Sequence, residues 1–137
     1  MANNTTAGRW FKRVMWIGIA ANLALALPTL AAPAAIIAMA SLPTATPDLW
    51  PRFSALLLVL LSVFYVPAGL DIDRYRATAW FAVASRLAGV VFFSVEPAYR
   101  MFMYFDLAFL VPLAVLLTMA VRSTKTPVTA ARGVAGV

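Results

Sequence analysis

Arg86, Asp106 and Asn22 are polar residues set inside long apolar runs, with Glu96 and Tyr65 close by in sequence or depth. A guanidinium, two carboxyls, an amide and a phenol can bind an anion, a polar headgroup or one another. They make a poor reaction centre without stronger nucleophiles. The chain has neither His nor Cys, which excludes haem ligation, thiolate zinc, iron–sulfur clusters, disulfide exchange and Ser–His or Cys–His catalysis by its own residues. The sequence implies no catalytic residue, no metal site and no cofactor. The cluster reads either as a binding site or as a structural clamp, and the residues alone leave both open.

The elements that position these residues follow from composition. Hydrophobic residues make up 64% and charged residues 12%, against about 45–50% and about 25% in soluble domains. Four apolar blocks stand out, at residues 14–32, 53–70, 77–95 and 102–121. At 1.5 Å per residue each matches a hydrocarbon core of about 30 Å. The expected fold is an all-α, integral membrane bundle of four antiparallel helices in a single domain. The first block is longer than a signal-peptide core of about 7–15 residues, so it reads as a retained helix. Residues 33–52 form the longest connection, with a short helix in PAAIIAMASL and an extended, Pro-rich stretch over Pro43, Pro47 and Pro51. Residues 1–8 and 123–137 read as mobile tails. The acids of Asp71-Ile72-Asp73 are expected to cap the third span and pair with Arg74 and Arg76.

Basic residues set the orientation. With the N-terminus inside, Arg9, Lys12, Arg13, Arg74, Arg76, Arg122, Lys125 and Arg132 fall on inner segments, and only Arg52 and Arg100 on outer ones. Both termini are therefore expected in the cytoplasm, with the protein in the cell (inner) membrane. The net charge of +6 serves orientation and anionic lipid, and no nucleic-acid partner is implied. The expected partners are the bilayer and a membrane protein or a second copy of the chain.

Arg86 lies near the middle of the third span, where an arginine costs about 2.5–3.5 kcal/mol. Asp106, in the fourth span, differs from it in depth by about 7 Å at 1.5 Å per residue. An extended arginine crosses that gap, so an Arg86–Asp106 pair is expected, with Glu96 as the second candidate partner. Asn22 sits at a similar depth in the first span, on a face with Gly18 and Ala26. Arg86 shares its face with Ala79, Ala82 and Gly89. Tyr65 and Ser62 of the second span are expected to join the network.

These features resemble the DoxX-like group of small bacterial four-span proteins. The stretch Arg86-Leu87-Ala88-Gly89-Val90-Val91-Phe92-Phe93 looks like the arginine-plus-small-residue helix of that group, here the third span rather than the first. Tyr65-Val66-Pro67-Ala68, Asp73-Arg74-Tyr75-Arg76 and Phe105-Asp106-Leu107 also look like its recurring features. The resemblance implies a non-catalytic accessory, anchoring or assembly role, in a group associated with quinone-linked oxidoreductases. The alternative is a small oligomeric transporter or channel using Arg86, Asp106 and Asn22.

Because the chain lacks cysteine, single introduced thiols test the orientation. Thr44→Cys is expected to react with a membrane-impermeant maleimide on intact cells, and Asn4→Cys only after permeabilisation. The opposite labelling pattern inverts the topology.

Overall fold

The computed structural model describes residues 1–123; the second expected tail, beyond Ser123, lies outside the described residues. A 3₁₀ turn at Ala2–Asn4 precedes α1 (Thr6–Ala31), the short α2 (Pro33–Met39), α3 (Leu49–Leu70) and α4 (Arg76–Ser94). A second 3₁₀ turn, Pro97–Tyr99, leads into α5 (Arg100–Ser123). Among the described residues the fold is all helical, with no strand. Helices α1, α3, α4 and α5 are each long and apolar enough to cross a membrane, the composition of a multi-pass membrane protein.

Each expected span coincides with one of these helices, the first and third running one residue past the helix end, and α1 and α3 begin several residues earlier than expected. The α1 helix starts at Thr6 because the Thr5 hydroxyl accepts from the Gly8 N–H at 2.9 Å and donates to the Ala2 carbonyl at 2.8 Å. That cap satisfies one of the unpartnered first-turn N–H groups. Arg9, Lys12 and Arg13 thus ride on the helix rather than preceding it. The α3 helix starts at Leu49, which places Pro51 in its first turn instead of an extended segment. Proline is tolerated there because its missing N–H has no intrahelical partner.

The helices pack on small residues. The closest pairings are α1 with α3 and α4 with α5, followed by α1 with α5. Between α1 and α3, a Cβ at Gly69 would lie 3.2 Å from Trp16 Nε1, so the glycine admits the indole at van der Waals range. The core occupies the half nearer Ala2, where Phe11, Met15, Ile19, Ile72, Leu113 and Leu117 interlock with Ala68, Ala79 and Ala120. No more than 28% of any span window is buried within the chain. Broad faces such as Leu56, Leu60, Val63 and Val91 therefore demand an apolar surrounding.

At the opposite end, α2 closes with a Schellman motif. Leu42 N–H donates to the Ile37 carbonyl at 3.0 Å and Ser41 N–H to Ala38 at 3.1 Å. Ser41 takes the left-handed conformation, φ 53°, that this motif requires. Arg52 Nη1 donates to the carbonyl of Leu30, joining the start of α3 to the last turn of α1.

The N-terminal segment, expected as a mobile tail, is docked. The N–H groups of Ala2 and Asn3 donate to the two carboxylate oxygens of Asp73 at 3.0 and 3.1 Å. The Asn3 side chain donates to Asp71 Oδ1 at 2.5 Å and accepts from the Ile72 N–H at 2.9 Å. The acids therefore hold the N-terminal turn, and α4 begins at Arg76, with Tyr75 before it giving no side-chain cap. The expected pairing with arginine is present between Asp73 and Arg76, at 3.5 Å. The backbone N–H of Arg74 and the amide of Asn3 hold the Asp71 carboxyl below the ordinary range. Burial raises that of Asp73, but the N–H donors of Asn3 and Ala2, with Arg76, outweigh it and leave it lowered.

Both carboxyls titrate lower in the folded chain than when free. This latch is therefore complete above the ordinary carboxylate range and is lost as pH falls through the depressed values. A fluorophore on Asn4→Cys is expected to keep constant anisotropy from neutral pH down to about pH 4 and to loosen in stronger acid. Adding Asp73→Ala should loosen it already at neutral pH.

Candidate functional site

Arg86 lies in the middle of α4 and is 5% exposed. Its Nη1 donates to Asp106 Oδ1 at 2.6 Å and its Nη2 to Asn22 Oδ1 at 2.9 Å. One guanidinium thereby joins α4 to α5 and to α1. The plane is also flanked by Phe105 and Phe109, one turn apart on α5, with ring centroids 5.3 and 5.1 Å from its central carbon. Desolvated contacts of this kind contribute about 2 kcal/mol. Because arginine only donates, the Asn22 carbonyl must face it and the Asn22 NH₂ must point elsewhere.

The close approach depends on glycine. A Cβ on Gly89 would collide with the Asp106 carboxylate, and one on Gly18 would stand 3.3 Å from Phe109 and 3.6 Å from Arg86 Nη2. Bare backbone at these two positions lets the acid and the guanidinium meet between helices.

Of the five polar residues singled out, three converge directly: Arg86, Asp106 and Asn22. Tyr65 reaches the neighbouring position instead. Its hydroxyl shares a hydrogen bond with Ser85, whose own hydroxyl donates to Ala82 at 3.0 Å. Tyr65 thus ties α3 to α4 at the residue next to Arg86. Ser62 stays out of the network and donates to Leu58 of its own helix at 2.7 Å. Glu96 is exposed and makes no ion pair with Arg86. Asp106 takes that place because the gap in α4 at Gly89 brings it alongside.

Above this cluster, toward α2, lies a cavity of about 780 Å³. Asn22, Arg86 and Asp106 form its floor. Leu25 and Ala26 of α1, Ala55 and Leu58 of α3, and Phe92 and Phe105 line its sides. Ile36, Ile37, Leu42 and Trp50 lie along the connection end, with Glu96 there as well. Phe93, Tyr99 and Phe102 form a packed aromatic wall, with centroids 5.4–6.4 Å apart. The size is within the range of small-molecule sites, about 300–1,000 Å³. Asn22 Nδ2 and Arg86 Nε are buried in the cluster without a hydrogen-bond partner, a condition that costs about 1–3 kcal/mol each. No cluster of metal-ligating side chains occurs among the described residues.

Sequence reading missed Ser85, the two phenylalanines and the cavity. Phe105 and Phe109, four apart around Asp106, were the available signal for an aromatic clamp on a cation. No family model, curated protein or solved structure matches the chain.

Removing one partner of a buried ion pair costs about 3–5 kcal/mol, whereas replacing both by apolar groups is often neutral. Asp106→Ala is therefore expected to destabilise the chain by about that amount, and Arg86→Met/Asp106→Leu by much less. Loss of helix content during titration with sodium dodecyl sulfate measures both. Equal stability of Asp106→Ala and wild type removes the clamp.

Proposed function

We propose that this chain is a small multi-pass protein of the cell membrane that holds a bilayer-soluble molecule and has no catalytic chemistry of its own. In this reading it is an antiparallel four-helix bundle with both termini cytoplasmic, and the cavity occupies the outer half of the bilayer. The observation that carries the reading is the cavity ending on Arg86, Asp106 and Asn22. A purely structural clamp is best served by tight packing around the charges, because voids destabilise. Here a cavity of about 780 Å³ borders the pair.

The likeness to the DoxX-like group extends this reading to an accessory subunit that carries its ligand beside a larger membrane protein. The wide apolar faces of α3 and α4 suit contact with lipid or with such a partner. The transport reading has less support. Beneath the site, Phe11, Met15, Tyr65 and Leu117 close the core, so one chain offers no continuous path.

Native mass spectrometry of the protein released from mild detergent tests the reading. Wild type is expected to retain a small molecule at one per chain. Ala55→Phe, which fills the cavity from α3, is expected to lose it while remaining folded. A wild-type polypeptide with no retained molecule, in lipid nanodiscs as in detergent, overturns the reading. A stoichiometric second polypeptide establishes the accessory role.

A further inference from the structure

The binding reading leaves the chemistry of the molecule open, and the floor of the cavity restricts it. The two donors without partners, Asn22 Nδ2 and Arg86 Nε, are sealed inside the cluster and out of reach. Asp106 is the more open member of the ion pair, its side chain 14% exposed against 6% for Arg86, and it lines the cavity. Its Oδ1 accepts from Arg86 Nη1, while Oδ2 takes no hydrogen bond from any described residue. A carboxylate carries about four lone-pair sites, so the floor offers an acceptor with capacity to spare.

Charge limits what an entering molecule can bring to that acceptor. Arg86 and Asp106 cancel formally, so a cation at the floor would stand unbalanced among apolar walls. Glu96 lies ten residues beyond Arg86, about 15 Å at 1.5 Å per residue, too far to balance it. An anion would meet a carboxylate. An ether, an ester or a hydrocarbon has no proton to donate. A neutral hydroxyl donates to the carboxylate without adding charge, in a bond of the stronger, charge-assisted kind. The aromatic wall of Phe93, Tyr99 and Phe102 and the aliphatic side of Leu25 and Leu58 accept the apolar body behind it.

Resting on the binding reading, we infer that the cavity selects a neutral amphipathic alcohol whose hydroxyl donates to the Asp106 carboxylate. Two sources offer that chemistry: the free glycerol hydroxyl of a two-chain neutral lipid, and a separate long-chain alcohol dissolved in the bilayer.

The test uses the full chain in phosphatidylcholine nanodiscs, whose lipid has no hydroxyl or N–H to donate. Trp50 lines the cavity, so ω-bromododecanol bound there quenches its fluorescence. The saturable part of the quenching should vanish in Trp50→Phe, which removes the reporter, and in Ala55→Phe, which fills the cavity. Competitors of one chain length then separate the head groups: dodecanol, dodecyl methyl ether, dodecane, dodecyltrimethylammonium and dodecyl sulfonate. The alcohol is expected to compete about tenfold more tightly than any of the others. Arg86→Met/Asp106→Leu removes the acceptor without leaving a lone charge, and should bring the alcohol to parity with the ether.

If the ether, the alkane, the ammonium or the sulfonate matches the alcohol in wild type, the cavity binds but the hydroxyl assignment is wrong. The same holds if the alcohol keeps its advantage in the double variant. If neither ω-bromododecanol nor bromododecane quenches Trp50 saturably, the binding reading itself fails. Dioleoylglycerol, added at the same mole fraction as dodecanol, separates the sources. Displacement of the probe by dioleoylglycerol identifies a two-chain lipid as occupant, and displacement by dodecanol alone identifies a separate alcohol.

Discussion

The burial of one guanidinium governs this structure. A charge in the middle of an apolar helix persists only with a counter-charge, full use of its donors, or both. Arg86 takes its counter-charge from α5 and a neutral acceptor from α1. Those contacts fix the levels of three helices at once. The fourth long helix is held one residue away, where Tyr65 reaches Ser85. Glycines at positions 18 and 89 are part of the same requirement, since side chains there would hold the helices apart.

The arginine also divides the molecule. On the side nearer Ala2, alanines interlock with larger apolar residues in a packed core. On the other side, the large rings of Phe92, Phe93, Phe102 and Phe105 stand around a void instead of filling it. Helix α2 and the Pro-rich segment after it lie over that region, anchored by Arg52 on Leu30. The polar layer thus separates a packed half from a half that holds the cavity.

Much of this arrangement was legible in the sequence, for physical reasons. The four spans follow from length and apolarity, and the helices that contain them need no long-range information. The Arg86–Asp106 pair followed from depth arithmetic, and Asn22 from its place among small residues. Glu96, the second candidate, lies ten residues beyond Arg86, about 15 Å at 1.5 Å per residue, whereas the missing side chain at Gly89 lets Asp106 come alongside. The cavity was illegible, because a void depends on how the connection folds over the helices. The N-terminal turn was missed for a related reason: a short polar stretch looks like a tail until its partners, 68 to 71 residues away, are in place.

That last separation bears on how the chain is made. Ala2 and Asn3 leave the ribosome long before Asp71 and Asp73 do, and α1 and the whole of α3 lie between them. The N-terminal N–H groups find their acceptors only when the start of α1 and the end of α3 lie side by side. A chain in which α3 runs the other way beside α1 carries the acids to the opposite end of the helices and leaves those N–H groups unmatched. The small polar turn at Ala2–Asn4 therefore closes late, once the end of α3 has been made and has come to lie beside the start of α1.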